Sequence, residues 1–138
     1  MYSFEALSAC QNLLSSHDVR RFLNRSENNI GALKSAMFMQ ATFPGVAGIY
    51  YGDEVGLNGG DEPSNREAFP WHDESSWNND LRMWVKELMN LKSELTPLIK
   101  GKFELIGYSD SAVAFRRYFE SDSVICLINR DSLSLIHI

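Results

Sequence analysis

The sequence predicts an α/β chain in which a parallel strand–helix–strand unit passes into antiparallel hairpins, and three observations predict it. Two short apolar runs, Asn12 to Ser16 and Val46 to Tyr51, end abruptly in His17-Asp18 and in Gly52-Asp53-Glu54. Between them Ile30, Leu33, Met37 and Ala41 recur at helical spacing. After Gly101 the apolar residues change to a period of two, as antiparallel strands require.

Taken in order, residues 2 to 11 have the look of the end of a helix leading into the first strand. Asn12 to Ser16 is expected to be buried on both faces, because a parallel strand covered by helices reads as a continuous apolar run and only its C-terminal end reaches a ligand. Asp18 is a plausible N-cap for one helical turn over Val19 to Leu23, and the polar stretch Asn24 to Asn29 breaks that turn. The helix from Ile30 stops at Phe43-Pro44-Gly45. Val46 to Tyr51 is then the second buried strand, and a helix of about a dozen residues between two such strands makes a right-handed βαβ unit. Both strands should deliver their terminal polar groups to one shared rim.

Leu57 to Asn79 has no sustained period and holds Phe69, Trp71 and Trp77; loops of this length in compact domains are usually functional or disordered. Leu81, Trp84, Val85, Leu88, Leu91 and Leu95 predict an amphipathic helix with Asn78 or Asn79 as N-cap, ended by Thr96-Pro97. Phe103 to Ile106, Val113 to Phe115 and Val124 to Ile128 are separated by turn-forming segments and predict hairpins.

The 138 residues are 44% hydrophobic and 22% charged, the composition of an ordinary globular chain. A net charge of -5 argues against nucleic acid and anionic membrane surfaces, which select for clustered Lys and Arg; Arg20, Arg21 and Arg25 are too few. Cys10 and Cys126 fit neither a metal-ligand spacing nor a disulfide framework and are expected to be buried free thiols. No run approaches the roughly 20 apolar residues of a membrane helix, and no signal-peptide pattern follows Met1, so the expected compartment is cytoplasmic and the Asn24-Arg25-Ser26 sequon is expected to be unused. No cofactor is implied, and no oxygen-ligand cluster has calcium-loop spacing.

By itself His17-Asp18 reads equally as a helix cap beside a hydrogen-bonded rim histidine. The wider sequence favours chemistry. Asn12-Leu13-Leu14-Ser15-Ser16-His17-Asp18, then Phe43-Pro44-Gly45, Gly48-Ile49-Tyr50-Tyr51-Gly52-Asp53-Glu54-Val55-Gly56, Gly59-Gly60, Pro63-Ser64-Asn65-Arg66 and Pro70-Trp71 together resemble the α-amylase family of glycoside hydrolases, nearest to its neopullulanases, cyclomaltodextrinases and maltogenic amylases. The resemblance runs over residues 12 to 130 and implies the last part of a (β/α)8 barrel. Asn12 to Ser16 and Val46 to Tyr51 would be strands 7 and 8, residues 1 to 97 the C-terminal part of the barrel, and 98 to 138 the beginning of a β-sandwich. The tail from Ser132 to Ile138 departs from the family pattern and is expected to be a non-native end.

The resemblance makes Asp18 the carboxylate that stabilises the transition state by holding hydroxyls of the sugar being cleaved, with His17 donating to the same sugar. Arg66 matches the arginine of the family's Gly-Gly-x-Asp-Pro-x-x-Arg loop, which helps bind sugars beyond the cleavage point. Glu62 stands at that motif's aspartate position, one methylene longer, and a simple surface ion pair between Glu62 and Arg66 is the competing reading. Phe69, Trp71 and Trp77 could stack on sugars or anchor the loop. Asp53 and Glu54 are expected to fix the turn after the second strand.

A retaining glycosidase needs two carboxylates about 5 to 5.5 Å apart. In this family they end strands 4 and 5, which this chain begins too late to contain, and a full barrel takes about 250 residues. The parent protein is therefore expected to be a glycosidase acting on α-1,4 and α-1,6 glucans such as maltooligosaccharides, and the chain alone to be inactive. Its open strand edges would favour incomplete folding or aggregation. A non-catalytic barrel relative serving as a structural or transporter-partner subunit is the alternative, against which the presence of both His17 and Asp18 speaks; an unrelated autonomous α+β binding module is a third reading. Linkage specificity, the choice between hydrolysis and transglycosylation, and oligomeric state are not encoded in these residues.

Overall fold

The computed structural model describes residues 3–130. A short helix α1 (Phe4–Ser8), capped by the Ser3 hydroxyl, leads into strand β1 (Gln11–Leu13). One turn of helix, α2 (Phe22–Arg25), precedes helix α3 (Ile30–Thr42), after which strand β2 (Val46–Gly48) pairs in parallel with β1, Gln11 opposite Val46 and Leu13 opposite Gly48. This is the expected βαβ unit, and α3 has the expected limits. Asn29 caps it by accepting from the Ala32 N–H at 3.0 Å.

The strands are shorter and more open than the sequence predicts. Pairing stops at Leu13 and Gly48, and just beyond it the Ser15 hydroxyl accepts from the Phe22 N–H at 2.9 Å. Leu13 and Val46 are 54% and 60% exposed, because a two-stranded sheet with one covering helix leaves its other face and both outer edges in solvent. On the covered side the buried Gln40 of α3 donates to the carbonyls of both Asn12 (2.8 Å) and Gly48 (2.7 Å), tying the helix to each strand. Gly45 enters β2 at φ +109°, and a Cβ there would lie 2.6 Å from the Cys10 carbonyl, which accepts the Val46 N–H; only glycine fits this approach.

Asp18 does not cap a helix. The segment Ser16 to Val19 is a tight loop closed by an isolated antiparallel bridge, and α2 starts only after Arg21, whose own backbone N–H is engaged with Gly59. Cys10 is exposed rather than buried, its thiol donating to the Ala6 carbonyl at 3.2 Å, because the strand it precedes pairs only with β2 among the described residues; Cys126 is buried.

After β2 the chain makes 3-10 turns at Asp53–Val55, Ser64–Arg66 and Glu74–Ser76. Helix α4 (Asn79–Glu94) begins with Asn78 accepting from the Leu81 N–H at 2.9 Å, and the short α5 (Thr96–Lys100) follows with Pro97 in its first turn. Strands β3 (Lys102–Tyr108), β4 (Ala112–Phe119) and β5 (Asp122–Asn129) form an antiparallel sheet in that order. A register shift between Leu105 and Gly107 interrupts strict alternation, which is why two adjacent apolar residues, Leu105 and Ile106, occur there. The segment Ser132 to Ile138, expected to be a non-native end, lies outside the described residues.

One core joins both parts. Leu33, Met37, Phe38 and Ala41 of α3 pack with Leu81, Val85 and Leu88 of α4, Leu98 of α5, and Phe115 and Cys126 of the sheet. Phe43, Phe103 and Phe115 form an aromatic group across the junction, with centroids 5.0 to 6.3 Å apart. Beneath it the fully buried Arg117 donates to the Thr42 carbonyl (2.6 Å) and the Gly101 carbonyl (2.8 Å), and Lys92 donates to the carbonyls of Gly45 (3.2 Å) and Leu98 (2.9 Å). Both cations thus satisfy carbonyls at or just beyond the C-terminal ends of α3 and α5, where the helix dipole is negative. No helix among the described residues is long and apolar enough to cross a membrane.

Burial, and secondarily the nearby Arg117, lowers the Lys92 ammonium from its usual range to about 8. Between pH 8 and 10.5 the unfolded chain therefore holds more protons at this site than the folded one, and stability should rise with pH across that window. Urea denaturation should show a gain of about 1–2 kcal/mol from this group after allowing for solvent screening. Lys92→Met should abolish that gain, and an unchanged slope in the variant would count against the assignment.

Candidate functional site

The C-terminal ends of β1 and β2 converge on Arg21. Its guanidinium is wholly buried, donating to the Tyr51 carbonyl at 2.7 Å and to the Asp53 carboxylate at 3.1 Å, and lying 4.6 and 4.8 Å from the ring centroids of Tyr50 and Tyr51. Asp53 is also buried, and its carboxyl is pushed up by that burial and held back in part by hydrogen bonding to Ser15 and by Arg21. Ser15, at the end of β1, thus touches both the Phe22 N–H and Asp53. The strand ends are locked to each other through side chains where the ladder has already stopped.

From this base the loop Ser16 to Val19 lifts His17 and Asp18 outward. The Asp18 N–H donates to the Ser16 hydroxyl at 3.2 Å, and the two side chains are 66% and 72% exposed with His17 Nε2 3.2 Å from Asp18 Oδ1. A second loop, Gly59 to Arg66, holds this one from beneath. Asn65 is buried and its amide donates to the carbonyls of His17 (2.9 Å) and Val19 (3.1 Å), the two residues that flank Asp18. Arg66 Nε donates to the same His17 carbonyl at 2.9 Å, while its Nη1 meets Glu62 at 2.8 Å. Asp61 takes Arg20 in a two-pronged pair at 2.6 and 2.5 Å, and that hydrogen bonding lowers the Asp61 carboxyl below its usual range.

The structure therefore brings His17, Asp18, Arg66 and Glu62 into one rim, although Arg66 reaches the first loop through its backbone and Glu62 reaches Arg66 rather than His17 or Asp18. The ion pair between Glu62 and Arg66 exists as drawn from the sequence, and its Arg66 has the additional backbone contact. Sequence reasoning missed Asn65, whose position inside Pro63-Ser64-Asn65-Arg66 marked it only as part of a motif, and it missed the burial of Arg21. It also missed why Gly59 is glycine: a Cβ there would lie 2.5 Å from the Ser64 carbonyl and 2.9 Å from the Asn65 Cα, driving apart the loop whose Gly59 carbonyl accepts the Arg21 N–H. Among the described residues no group of three or more His, Cys, Asp or Glu side chains is placed to hold a metal ion.

A parallel βαβ unit that ends in an exposed carboxylate pinned by a second loop is the arrangement of α/β enzymes, whose chemistry sits at the C-terminal ends of strands. Comparison with known proteins then narrows it: residues 3–112 match the α-amylase catalytic domain, and the chain belongs to the α-amylase family. A cyclomaltodextrinase of Thermoanaerobacter pseudethanolicus (strain ATCC 33223 / 39E) is 34% identical over 121 residues, covering 88% of this chain and 21% of the relative. Neopullulanase 2 of Thermoactinomyces vulgaris is 37% identical over 101 residues, covering 73% of this chain and 17% of its own length. Among solved structures, a debranching enzyme from Nostoc punctiforme superposes with a TM-score of 0.86 at 31% identity, covering 95% of this chain and 26% of that one. The chain spans only about a fifth of the length of these curated relatives, 21% and 17%. The expectation of an unrelated binding module falls with this match.

Breaking a buried ion pair from one side leaves an uncompensated charge, at a cost of about 3–5 kcal/mol. Arg21→Met should lose stability on that scale in urea denaturation, and Arg21→Met combined with Asp53→Asn should lose less than Arg21→Met alone. Additive losses would mean that the two groups are not coupled. Gly59→Ala should accelerate hydrogen exchange at the Arg21 amide by about tenfold or more while leaving α4 amides protected, as local opening predicts.

Proposed function

We propose that this chain is the C-terminal part of an α-glucan-acting, retaining glycoside hydrolase, contributing the transition-state carboxylate and part of the sugar-binding rim. In this reading residues 1 to 97 supply strands 7 and 8 of the barrel with their helices, and residues 98 to 138 begin the β-sandwich. The observation that supports it best is the treatment of Asp18. Its side chain stands exposed beyond β1, beside His17 Nε2 at 3.2 Å, while the carbonyls of both flanking residues are fixed by Asn65, one of them also by Arg66.

That geometry suits a carboxylate whose task is to accept hydrogen bonds from sugar hydroxyls. As the ring flattens towards an oxocarbenium-like transition state those hydrogen bonds strengthen, and a fixed acceptor loses little by reorganising. His17, beside Asp18, donates to the same sugar. Arg66, held by Glu62 and by the His17 carbonyl, presents the remainder of its guanidinium to sugars beyond the cleavage point. The nucleophile and the general acid/base are supplied by strands 4 and 5, outside this sequence. The relatives named above as cyclomaltodextrinase and neopullulanase 2 support maltooligosaccharides as the substrate class.

In a polypeptide that joins this chain to the preceding barrel strands, Asp18→Asn should lower kcat/KM on maltodextrin by about 100-fold or more, the loss of roughly 3 kcal/mol of transition-state binding. Most of the loss should fall on kcat. The 138-residue chain alone should show no turnover of maltodextrin, cyclodextrin or pullulan; activity in a clean preparation would defeat the assignment of the bond-breaking carboxylates elsewhere.

A further inference from the structure

The loop that carries Arg66 continues into an aromatic group that the rim does not use. Phe69, Trp71 and Trp77 pack against one another, Phe69 and Trp71 tilted with centroids 4.4 Å apart and Trp77 edge-on to both at 5.3 Å (Phe69) and 6.3 Å (Trp71). Two of the three are anchored inward: Trp77 donates its indole N–H to the Pro70 carbonyl at 3.1 Å and lies 5.3 Å from the Arg82 guanidinium, and Phe69 is half-buried. Trp71 is 70% exposed. Its backbone is nonetheless fixed, since its N–H donates to the Phe69 carbonyl at 2.8 Å and the Asp73 N–H donates to the Pro70 carbonyl at 3.2 Å. The indole N–H of Trp71 meets no acceptor among the described residues.

A packed side chain is usually turned inward, yet here two rings and a tight turn hold a third ring out in water with its polar edge free. We propose that Trp71 is a carbohydrate-stacking platform that takes a glucose ring of an α-linked glucan. A pyranose has a face of C–H groups that packs on an aromatic face and a rim of hydroxyls that hydrogen-bond beside it, so a ring plus a free donor matches both halves of that chemistry. The fixed turn keeps the ordering cost of binding low. The polar side chains of His72, Asp73 and Glu74, all exposed and next in sequence, offer further partners for hydroxyls. The platform rests on the α-glucan reading above and extends it, giving a sugar chain a second hold on the loop after β2, five residues beyond Arg66.

The test uses the full chain with maltoheptaose as probe and cellopentaose as the β-linked control, followed through the three indole N–H resonances and the backbone amides. Maltoheptaose at millimolar concentration should shift the Trp71 indole while Trp84 stays still. Trp71→Ala should weaken that binding at least tenfold, with retained hydrogen-exchange protection of the Asp73 amide showing that the turn remains folded, and Trp71→Tyr should retain most of it. Shifts confined to His17 and Asp18 would overturn the platform while leaving the α-glucan reading in place. Equal shifts with cellopentaose would overturn the assignment to α-linked glucan. No shift of Trp71 with either sugar, or a shift that depends on protein concentration without sugar, would overturn the platform as well.

Discussion

The candidate site depends on one buried cation. Arg21 stands between the ends of the two parallel strands, where the backbone ladder has already stopped and hydrogen bonding between main chains no longer sets their spacing. Its guanidinium replaces the missing ladder by joining the Tyr51 carbonyl and the Asp53 carboxylate, while its backbone N–H takes the Gly59 carbonyl. A guanidinium suits the position because it is planar and delocalised and can donate in several directions while lying 4.6 and 4.8 Å from the ring centroids of Tyr50 and Tyr51, which an ammonium does less well. Asp53 pays for its own burial only through Arg21 and Ser15, so the strand end, the following turn and the second loop form one unit.

The loops above it follow from that base. Gly59 brings its carbonyl to Arg21 because it lacks a side chain, and the turn through Ser64–Arg66 then brings Asn65 beneath His17 and Val19. Asp18 is thereby fixed through its neighbours' carbonyls, while its own carboxyl stays exposed and meets only the equally exposed His17 ring among the described residues. A group that had to be buried to be held still would lose its access to solvent; holding the backbone instead separates rigidity from exposure. The Glu62 and Asp61 pairs at the surface contribute little to stability individually, but they orient Arg66 and Arg20.

At the other end of the molecule, Arg117 and Lys92 perform the corresponding task for the junction between the βαβ unit and the antiparallel sheet. Both meet only carbonyls, near the ends of α3 and α5, and this places cationic charge where the helix dipoles and the unsatisfied carbonyls are strongest. The Phe43, Phe103 and Phe115 group closes over them.

Long periodic segments were legible directly: α3 follows from its apolar spacing and its Pro-Gly stop, α4 from its apolar spacing and its Asn cap, and the hairpins from alternation broken by turn residues. Strand ends, the exposure of Leu13 and Val46, and the position of Cys10 were not, because they depend on which neighbours a strand has and not on its own residues. The identities of Asp18, His17, Arg66 and Glu62 as rim candidates came from motif resemblance, which names residues without saying what holds them. By itself, then, the sequence determined the element order, the family and the side chains offered at the strand ends. The tertiary structure decided which backbone groups those side chains lock: the long-range bonds from Arg21, Asn65 and Arg117 join residues 30 to 75 positions apart, and no local periodicity carries that information.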